Sequence, residues 1–588
     1  MAICRCNSEM DRLYAAVTQE WGCTPLSFKK GIMMNKKHFL LPGFLTIIML
    51  AGCGNPDAAA SGSAPAASPA SEATPPSSEA VASASQVVPE DVILEKSPYG
   101  NPIIRLTDEK GDRIYGGDPA VYVDGDTVYL YTGHDMSTDV EVSEAAYHIP
   151  EYFCYSSKDL LTWTPEGVVM NMRDVSWAKD HISAWASQVT RHTDPDSGKD
   201  LYYLYFCSWD KTGGGKQSIG VAVSESPTGP FTDIGAPLVM GVITKPQTSA
   251  WNDIDPTVFV DTDENGEEHR YLAWGNAIFY LCELNPDMIS VKDQNGDGKI
   301  TCGHNLEDAD IMSNNKGLLS YTEAPWLYRR TDENGNCTGD TYLFYASEWR
   351  ESMAYSRTKD LRSGVWENSQ IFMLPTATCN TNHEAIFDFQ GKTYMMYHDG
   401  ALPGGNGYRR SACLQELVFE DDGTVSMMEE SASGLTGTIS TITTAEGTPL
   451  SHAHFDNSSS DDAYPYTDIA VGTGLSHEEK DAQWVIVAGK SDEDDPALVS
   501  IQAENKTGLF LTANEDGSVT LAQDTDGKAE TAAAQTFRSV TGLNGDPDAV
   551  SFQSVTDSSK YLTIADSVLT LTDGKDAACA SFAVRSGS

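Results

Sequence analysis

Asn252-Asp253-Ile254-Asp255-Pro256-Thr257-Val258-Phe259-Val260-Asp261 opens on polar groups and alternates apolar with polar positions. It breaks at the turn Asp263-Glu264-Asn265-Gly266 and re-enters as Tyr271-Leu272-Ala273-Trp274-Gly275-Asn276. Four other segments share this plan. Gly117-Asp118-Pro119-Ala120-Val121-Tyr122 leads into Tyr129-Leu130-Tyr131-Thr132, and Ala184-Trp185-Ala186-Ser187-Gln188-Val189 into Tyr202-Tyr203-Leu204-Tyr205-Phe206. Glu323-Ala324-Pro325-Trp326-Leu327-Tyr328 leads into Tyr342-Leu343-Phe344-Tyr345-Ala346, and His383-Glu384-Ala385-Ile386-Phe387 into Tyr394-Met395-Met396-Tyr397-His398. The heads at 118, 185, 255, 323 and 383 are spaced by 67, 70, 68 and 60 residues, a regularity that marks a structural repeat.

Period-2 alternation around Gly/Asn/Asp turns makes each copy a hairpin within a small antiparallel sheet. Sheets of this size bury their faces by stacking radially, as the blades of a propeller do. The fold class is therefore all-β, a five-bladed β-propeller. Its innermost strands aim their first residues at the axis, which brings Asp118, Asp255 and Glu323 to one cavity. Gathering carboxylates costs electrostatic free energy and drives their pKa values apart. One then stays ionised as a base while another stays protonated as an acid, and such a pair flanking a sugar bond hydrolyses glycosides.

The heads Gly-Asp-Pro at Asp118, Ile-Asp-Pro at Asp255 and Glu-Ala-Pro at Glu323 resemble those of glycoside hydrolase family 43, five-bladed propeller enzymes acting on arabinose- and xylose-containing polymers. Tyr155-Ser156-Ser157-Lys158-Asp159-Leu160-Leu161-Thr162-Trp163, Ala184-Trp185-Ala186, Ile219-Gly220-Val221-Ala222-Val223-Ser224, Ser226-Pro227-Thr228-Gly229-Pro230-Phe231 and Asn382-His383-Glu384 agree, so the resemblance spans roughly residues 98 to 430. It implies that Asp118 is the general base that deprotonates water and Glu323 the general acid that protonates the leaving oxygen. Asp255 is then the third carboxylate, orienting the acid, with Asp253 as its rival for that role. The resemblance also implies inversion, without a covalent intermediate, and a His383 that lies on the axis and helps hold a structural calcium through water. No cofactor is required for the chemistry.

Arg409 and Arg410, in Gly407-Tyr408-Arg409-Arg410-Ser411, resemble a family stretch whose arginine reaches the substrate pocket. Arg410 is assigned to the pocket and the other to solvent. Trp185, with Trp251 and Trp274, offers an apolar platform for a sugar ring. The segment from Asp135 to Pro150 and the loop from Ala401 to Gly407 are expected to shape the pocket rim. Asp293-Gln294-Asn295-Gly296-Asp297-Gly298 carries oxygen ligands at positions 1, 3 and 5 of a calcium loop and Gly at 6, but His304 replaces the bidentate Glu at position 12. Asp293, Asn295 and Asp297 thus form a second candidate calcium site, with a plain polar turn as the alternative.

A chain of 588 residues is too long for one ordinary core. With 85 acidic against 39 basic residues and a formal charge of -46, nucleic acid is excluded as a partner, since phosphate binding needs Lys and Arg. Plant cell-wall polysaccharide or oligosaccharide fits, and the protein is expected to be a monomer. Asn35-Lys36-Lys37-His38 is basic, Phe39 to Leu50 is apolar, and Leu50-Ala51-Gly52-Cys53 matches a bacterial lipobox. Met33 or Met34 is the expected start, and residues 1–53 are an upstream segment with a lipoprotein signal peptide. Cys53 would carry the lipid, the only membrane contact of an extracellular, cell-surface protein. Residues 54–90, rich in Ala, Ser and Pro, read as a flexible tether. Eight further cysteines lack CxxC spacing, which indicates neither zinc nor a disulfide framework, though a Cys282–Cys302 bridge is compatible with their positions.

The propeller is assigned to residues 91–435. Beyond 440, Val499-Ser500-Ile501-Gln502, Phe510-Leu511-Thr512 and Val519-Thr520-Leu521 recur as Val550-Ser551-Phe552-Gln553, Tyr561-Leu562-Thr563 and Leu569-Thr570-Leu571. Their offsets of 51, 51 and 50 residues suggest a β-trefoil over 440–588, with a degenerate first copy near 440–483. It is similar to arabinose-binding trefoil modules found beside arabinofuranosidases. The resulting expectation is removal of α-L-arabinofuranosyl units from arabinoxylan or arabinan. β-Xylosidase, endo-1,5-α-arabinanase and a non-catalytic carbohydrate-binding lipoprotein are the alternatives.

Overall fold

A computed structural model describes residues 89–138, 140–263, 265–331, 337–455 and 468–587. The lipobox cysteine and the tether lie outside the described residues. Four antiparallel strands build blade 1, β1–β4 (Tyr115–Asp124, Thr127–Asp135, Glu151–Ser157, Thr164–Asn171), and four build blade 2, β5–β8 (Gln188–Thr193, Asp200–Trp209, Gln217–Ser224, Thr232–Asp233). Blade 3 is β9–β13 (Thr257–Thr262, Glu268–Trp274, Tyr280–Glu283, Cys302–Gly303, Ile311–Ser313), and blade 4 is β14–β17 (Tyr321–Thr331, Cys337–Ser347, Ser352–Thr358, Glu367–Met373). Blade 5 has three strands, β18–β20 (Ala385–Phe389, Lys392–Asp399, Ser411–Glu416). The first strands touch in the cyclic order β1, β5, β9, β14, β18 and back to β1. The molecule is therefore a closed five-bladed propeller, with the heads at its axis.

Strand alternation alone would not point the head carboxylates inward, because it dictates only which face of a blade each side chain takes. The head strands break the rule locally. β1 shifts register between Gly117 and Ala120, and β14 between Glu323 and Trp326. Asp118, Asp255 and Ala324 adopt the left-handed region, at φ of 51°, 59° and 56°, which Asp tolerates better than most side chains and Ala does not. Such bulges re-aim a side chain out of the ladder.

The second module is one closed twelve-stranded sheet, β21–β32 (Ile439–Thr444, Leu450–His452, Ile469–Thr473, Trp484–Ala488, Leu498–Ala503, Leu509–Ala513, Val519–Gln523, Phe537–Thr541, Val550–Ser554, Tyr561–Ala565, Val568–Thr572, Phe582–Ser586). Pairing of β23 with β31 through Gly472 and Val568 closes it. Its core gathers Trp484, Ile501, Leu511, Phe537, Phe552 and Phe582, the apolar residues of the sequence repeat. Two copies supply four strands each, β24–β27 and β28–β31. The degenerate first copy supplies β21–β23, and β32 completes it by pairing with β21, giving a β-trefoil-like domain.

The segment before β1 behaves differently from its assignment to the propeller. Thr541 N–H donates to Glu90 O at 2.8 Å, Val92 N–H to Ser539 O at 3.0 Å and Ser97 N–H to Ile486 O at 2.7 Å, all on the trefoil. Only from Asn101 onward does it join blade 5, where Ile103 N–H donates to Ala412 O at 2.9 Å and Leu414 N–H to the Asn101 side chain at 2.9 Å. This segment supplies the edge that three-stranded blade 5 lacks. Cys282 and Cys302 are free thiols, so the bridge between them does not form.

Candidate active site

A cavity of about 460 Å³ opens where the heads meet, lined by Asp118, Asp255 and Glu323 together with Tyr147, Trp185, Trp209, Trp251, His383 and Arg410. The three carboxylates come from blades 1, 3 and 4, so the ring itself assembles them.

Asp118 is held in place by two cation-bearing or imidazole neighbours. Arg410 Nη1 donates to Asp118 Oδ1 at 2.5 Å, and the Asp118 N–H donates to His398 Nδ1 at 3.2 Å. An imidazole that accepts at Nδ1 carries its proton on Nε2, which faces Thr381 O at 3.0 Å. Gly117 is what lets the arginine approach, since a Cβ there would lie 2.2 Å from Arg410 Nε. Burial by itself pushes the Asp118 carboxyl up, but the charge of Arg410 and the nearby His398 and His383 outweigh it and hold the group below its ordinary value. It is the ionised member of the trio.

Glu323 and Asp255 move the other way. Burial, then the charge of Asp118, raise Glu323, opposed by the Asn276 amide that donates to its Oε2 at 2.5 Å. Burial, then the charges of Glu323 and Asp118, raise Asp255 well above the carboxylate range. Asp255 Oδ2 accepts the Ala324 N–H at 3.1 Å and so anchors the left-handed residue beside Glu323. Its rival Asp253 points elsewhere: it accepts from Thr244 and from the Trp274 indole, and burial lifts it to about 6.

Among the aromatic residues expected in the pocket, Trp185 and Trp251 line the cavity, and the Trp185 indole N–H is buried without a protein partner. Trp274 does not line it. It is fully buried, stacked on Tyr280 at 5.5 Å and bonded to Asp253 at 2.9 Å, because the last residue of β10 falls on the face turned between blades. The Asp135–Pro150 segment contributes Ala145, Ala146 and Tyr147. The Ala401–Gly407 loop is drawn to the trefoil instead, where the Gly404 N–H donates to Asp524 O at 2.9 Å and Gln523 donates to the carbonyls of Gly400 and Gly405. Arg409 is not a solvent residue: its side chain is largely buried and pairs with Glu141.

Several site residues escaped the head-by-head reading. Asp135 grips Arg410 through Nε at 2.9 Å and Nη2 at 3.0 Å, and the guanidinium lies 4.3 Å above the Tyr147 ring. Glu351, fully buried, stands within hydrogen-bonding reach of Glu323 and is itself pushed well above its ordinary value by burial and by Glu323. Asp135, Asn276, Glu351 and His398 all sit at or just beyond the end of a blade's second strand. That strand runs antiparallel to the first and so returns to the axis, which is the signal that could have found them.

Asp293, Asn295 and Asp297 join β11 to β12 on the outer side of blade 3. Asp293 accepts the amides of Gly296 and Gly298, both at 2.7 Å, while Asn295 accepts from Asp297 and Asp297 from Lys299, both at 2.9 Å. These bonds hold the loop in a series of tight turns.

The family model for glycosyl hydrolases family 43 matches residues 100–425. The chain belongs to this family. Within family 43 it is 26% identical to the xylosidase/arabinosidase 43A of Humicola insolens over 53% of this chain and 96% of that one. It is also 26% identical to the arabinoxylan arabinofuranohydrolase of Bacillus subtilis, over 57% and 65%. A solved alpha-L-arabinofuranosidase of Clostridium thermocellum is 29% identical with a TM-score of 0.39, covering 53% of this chain and 92% of that one. Residues 458–584 match the alpha-L-arabinofuranosidase B (ABFB) domain. As a family 43 member the protein is a glycoside hydrolase.

Proposed function

We propose that the chain is an inverting, surface-tethered hydrolase that removes α-L-arabinofuranosyl units from arabinoxylan or arabinan. The observation that carries it is the division of one cavity between an ionised Asp118, held down by Arg410, and a protonated Glu323, held up by burial. Asp118 takes a proton from water as the water oxygen bonds to the anomeric carbon. Glu323 gives its proton to the glycosidic oxygen as the bond to that carbon breaks, so one water is consumed and both carboxyls reset by exchange with solvent. Asp255 keeps Glu323 oriented through Ala324. Trp185 and Trp251 give the sugar an apolar wall.

The choice of arabinose is supported by the arabinosidase activities of the relatives named above and by the ABFB domain. The tether is supported by Leu50-Ala51-Gly52-Cys53 alone. A hydrated calcium on the axis suits the residues present: His383, lowered to about 4 by burial, is a neutral imidazole, and Glu384 holds two buried oxygens without a protein partner. Such an ion would fix the charge balance at the axis and stiffen blade 5, and a chelator that left the melting temperature unchanged would refute it.

Turnover of nitrophenyl α-L-arabinofuranoside against nitrophenyl β-D-xyloside tests the sugar, and the anomer first released, read by proton NMR, tests inversion. Preference for the xyloside, or a retained anomer, overturns the respective part. Fractionation of cells carrying Cys53→Ser tests the tether, which fails if the variant stays with the membrane.

A further inference from the structure

A second cavity, of about 440 Å³, lies on the seam between propeller and trefoil, away from the catalytic heads. Three cations face it: Arg105 and Arg113 from the segment before β1, and Lys490 from the trefoil. Lys490 is already matched, with its Nζ 2.8 Å from Asp524 Oδ2, 2.6 Å from Gln535 Oε1 and 4.6 Å above the Phe510 ring. The arginines are not. Arg105 lies 4.1 Å above the Tyr99 ring and gives one Nη2 hydrogen to Asn101 O at 3.1 Å, while its Nε is buried without a partner. Neither arginine has a carboxylate at ion-pair distance among the described residues.

Glu493 is the remaining acid of the hollow, and its Oε1 accepts the Tyr99 hydroxyl at 3.2 Å. Arg105 feels the like charge of Arg113, and this happens in a chain whose formal charge is -46. The Asp399 carboxylate offsets part of the Arg105 charge from a distance, without an ion pair. The seam is thus an electropositive pocket with aromatic walls and with carboxylate acceptors, Glu493 and Asp524, beside the arginines. A planar carboxylate matches the guanidinium fork bidentately. The neighbouring acceptors call for hydroxyl donors on the same ligand.

We propose that this seam is a binding site for an acidic sugar, a uronate residue whose carboxylate pairs with Arg105 and Arg113 while its hydroxyls donate to Glu493 and Asp524 between Tyr99 and Phe510. The site stands on its own geometry and does not depend on which sugar the catalytic cavity cleaves. It would hold a polysaccharide through its acidic branches while neutral branches are processed elsewhere on the same molecule.

The test is calorimetric titration of the full chain with D-glucuronate and D-galacturonate, with D-glucose and D-xylose as neutral arms and inorganic phosphate as a simple anion. Saturable binding of a uronate at least tenfold tighter than its neutral counterpart and than phosphate is expected, weakening with added salt. Arg105→Met and Arg113→Ser should each reduce the affinity at least tenfold while turnover of the nitrophenyl arabinofuranoside stays unchanged. Among the described residues, half-buried Arg113 makes no side-chain hydrogen bond or ion pair, so its variant keeps the test open if Arg105→Met misfolds. Equal binding of glucose or phosphate, no uronate binding at all, or uronate binding indifferent to Arg113→Ser would each overturn the proposal.

Discussion

Arg410 joins Asp118 to Asp135, with its Nη1 2.5 Å from the first and its Nε 2.9 Å from the second. Asp135 is buried and the Asp118 side chain only 11% exposed, so the guanidinium is the main force keeping Asp118 ionised. Replacing it by Met leaves burial unopposed, the Asp118 pKa rises, and the acid limb of kcat/KM moves to higher pH. Buried Asp135 is orphaned at the same time, which costs about 3–5 kcal/mol of stability. A pH–rate profile and a denaturant melt of Arg410→Met check both. An unmoved acid limb would show that Arg410 does not set the base.

Asp118→Asn and Glu323→Gln should each lower kcat by at least ~10²–10⁴ on natural substrate with the melting temperature retained. The two separate on substrates with a good leaving group. A nitrophenolate departs without much protonation, so Glu323→Gln should recover a large part of its rate there and Asp118→Asn should not. The opposite pattern would exchange their roles.

Glu351 acts on Glu323 rather than on the substrate. As the more weakly acidic of the two it donates to Glu323 and thereby lowers the Glu323 pKa. Glu351→Met removes that donor, so Glu323 should rise and the basic limb of kcat/KM shift upward. Glu351→Gln keeps a donor, and its oxygen can still accept the Asn382 N–H that Glu351 takes at 2.7 Å, so its profile should stay near the original. A purely structural role would leave the basic limb in place in both variants.

The repeat made the propeller and the convergence of Asp118, Asp255 and Glu323 legible, because equivalent residues of equivalent strands must reach the same axis. Which face a given aromatic takes was not legible. Trp185 and Trp274 are both tryptophans near a strand end, and only the packing between blades puts one in the cavity and the other on Asp253. Asp135, Glu351 and His398 were hidden for another reason: they belong to returning strands, whose lengths differ from blade to blade. The segment at 89–104 shows no alternation that could reveal its partners, since it borrows its hydrogen bonds from strands hundreds of residues away.

The contrast between those tryptophans is measurable. Trp274→Ala empties a core site and strands buried Asp253, and should destabilise by about 3–5 kcal/mol, with little change in KM for the molecules that stay folded. Trp185→Ala should raise KM with a smaller loss of stability. Similar effects of both on KM would return Trp274 to the substrate site.

Asp399 gives the fold a pH dependence of its own. Burial lifts it to about 7 against opposing bonds from Cys413 and the Ala401 amide. Between its ordinary value of 3.8 and about 7 the folded chain holds a proton that the unfolded chain has released. Stability from this group is complete at the acid end and falls by about 1.4 kcal/mol per pH unit as pH rises through the window. Asp399→Asn keeps the carbonyl that accepts from Ala401 and should flatten this slope, making the variant more stable than the parent at pH 8. Parallel urea melts at pH 5 and pH 8 decide it.

Because residues 90–103 bond first to the trefoil and then to the open edge of blade 5, the earliest described part of the chain has to wait for almost the last. The Ser539 hydroxyl that donates to the Val92 carbonyl lies 447 positions downstream. At ribosomal speeds of ~5–20 residues per second, the leading segment spends on the order of half a minute to a minute and a half without its destination. During that interval the blades can form one after another while residues 90–97 still lack their trefoil partners. The docking of residues 90–97 therefore comes after both modules have been made.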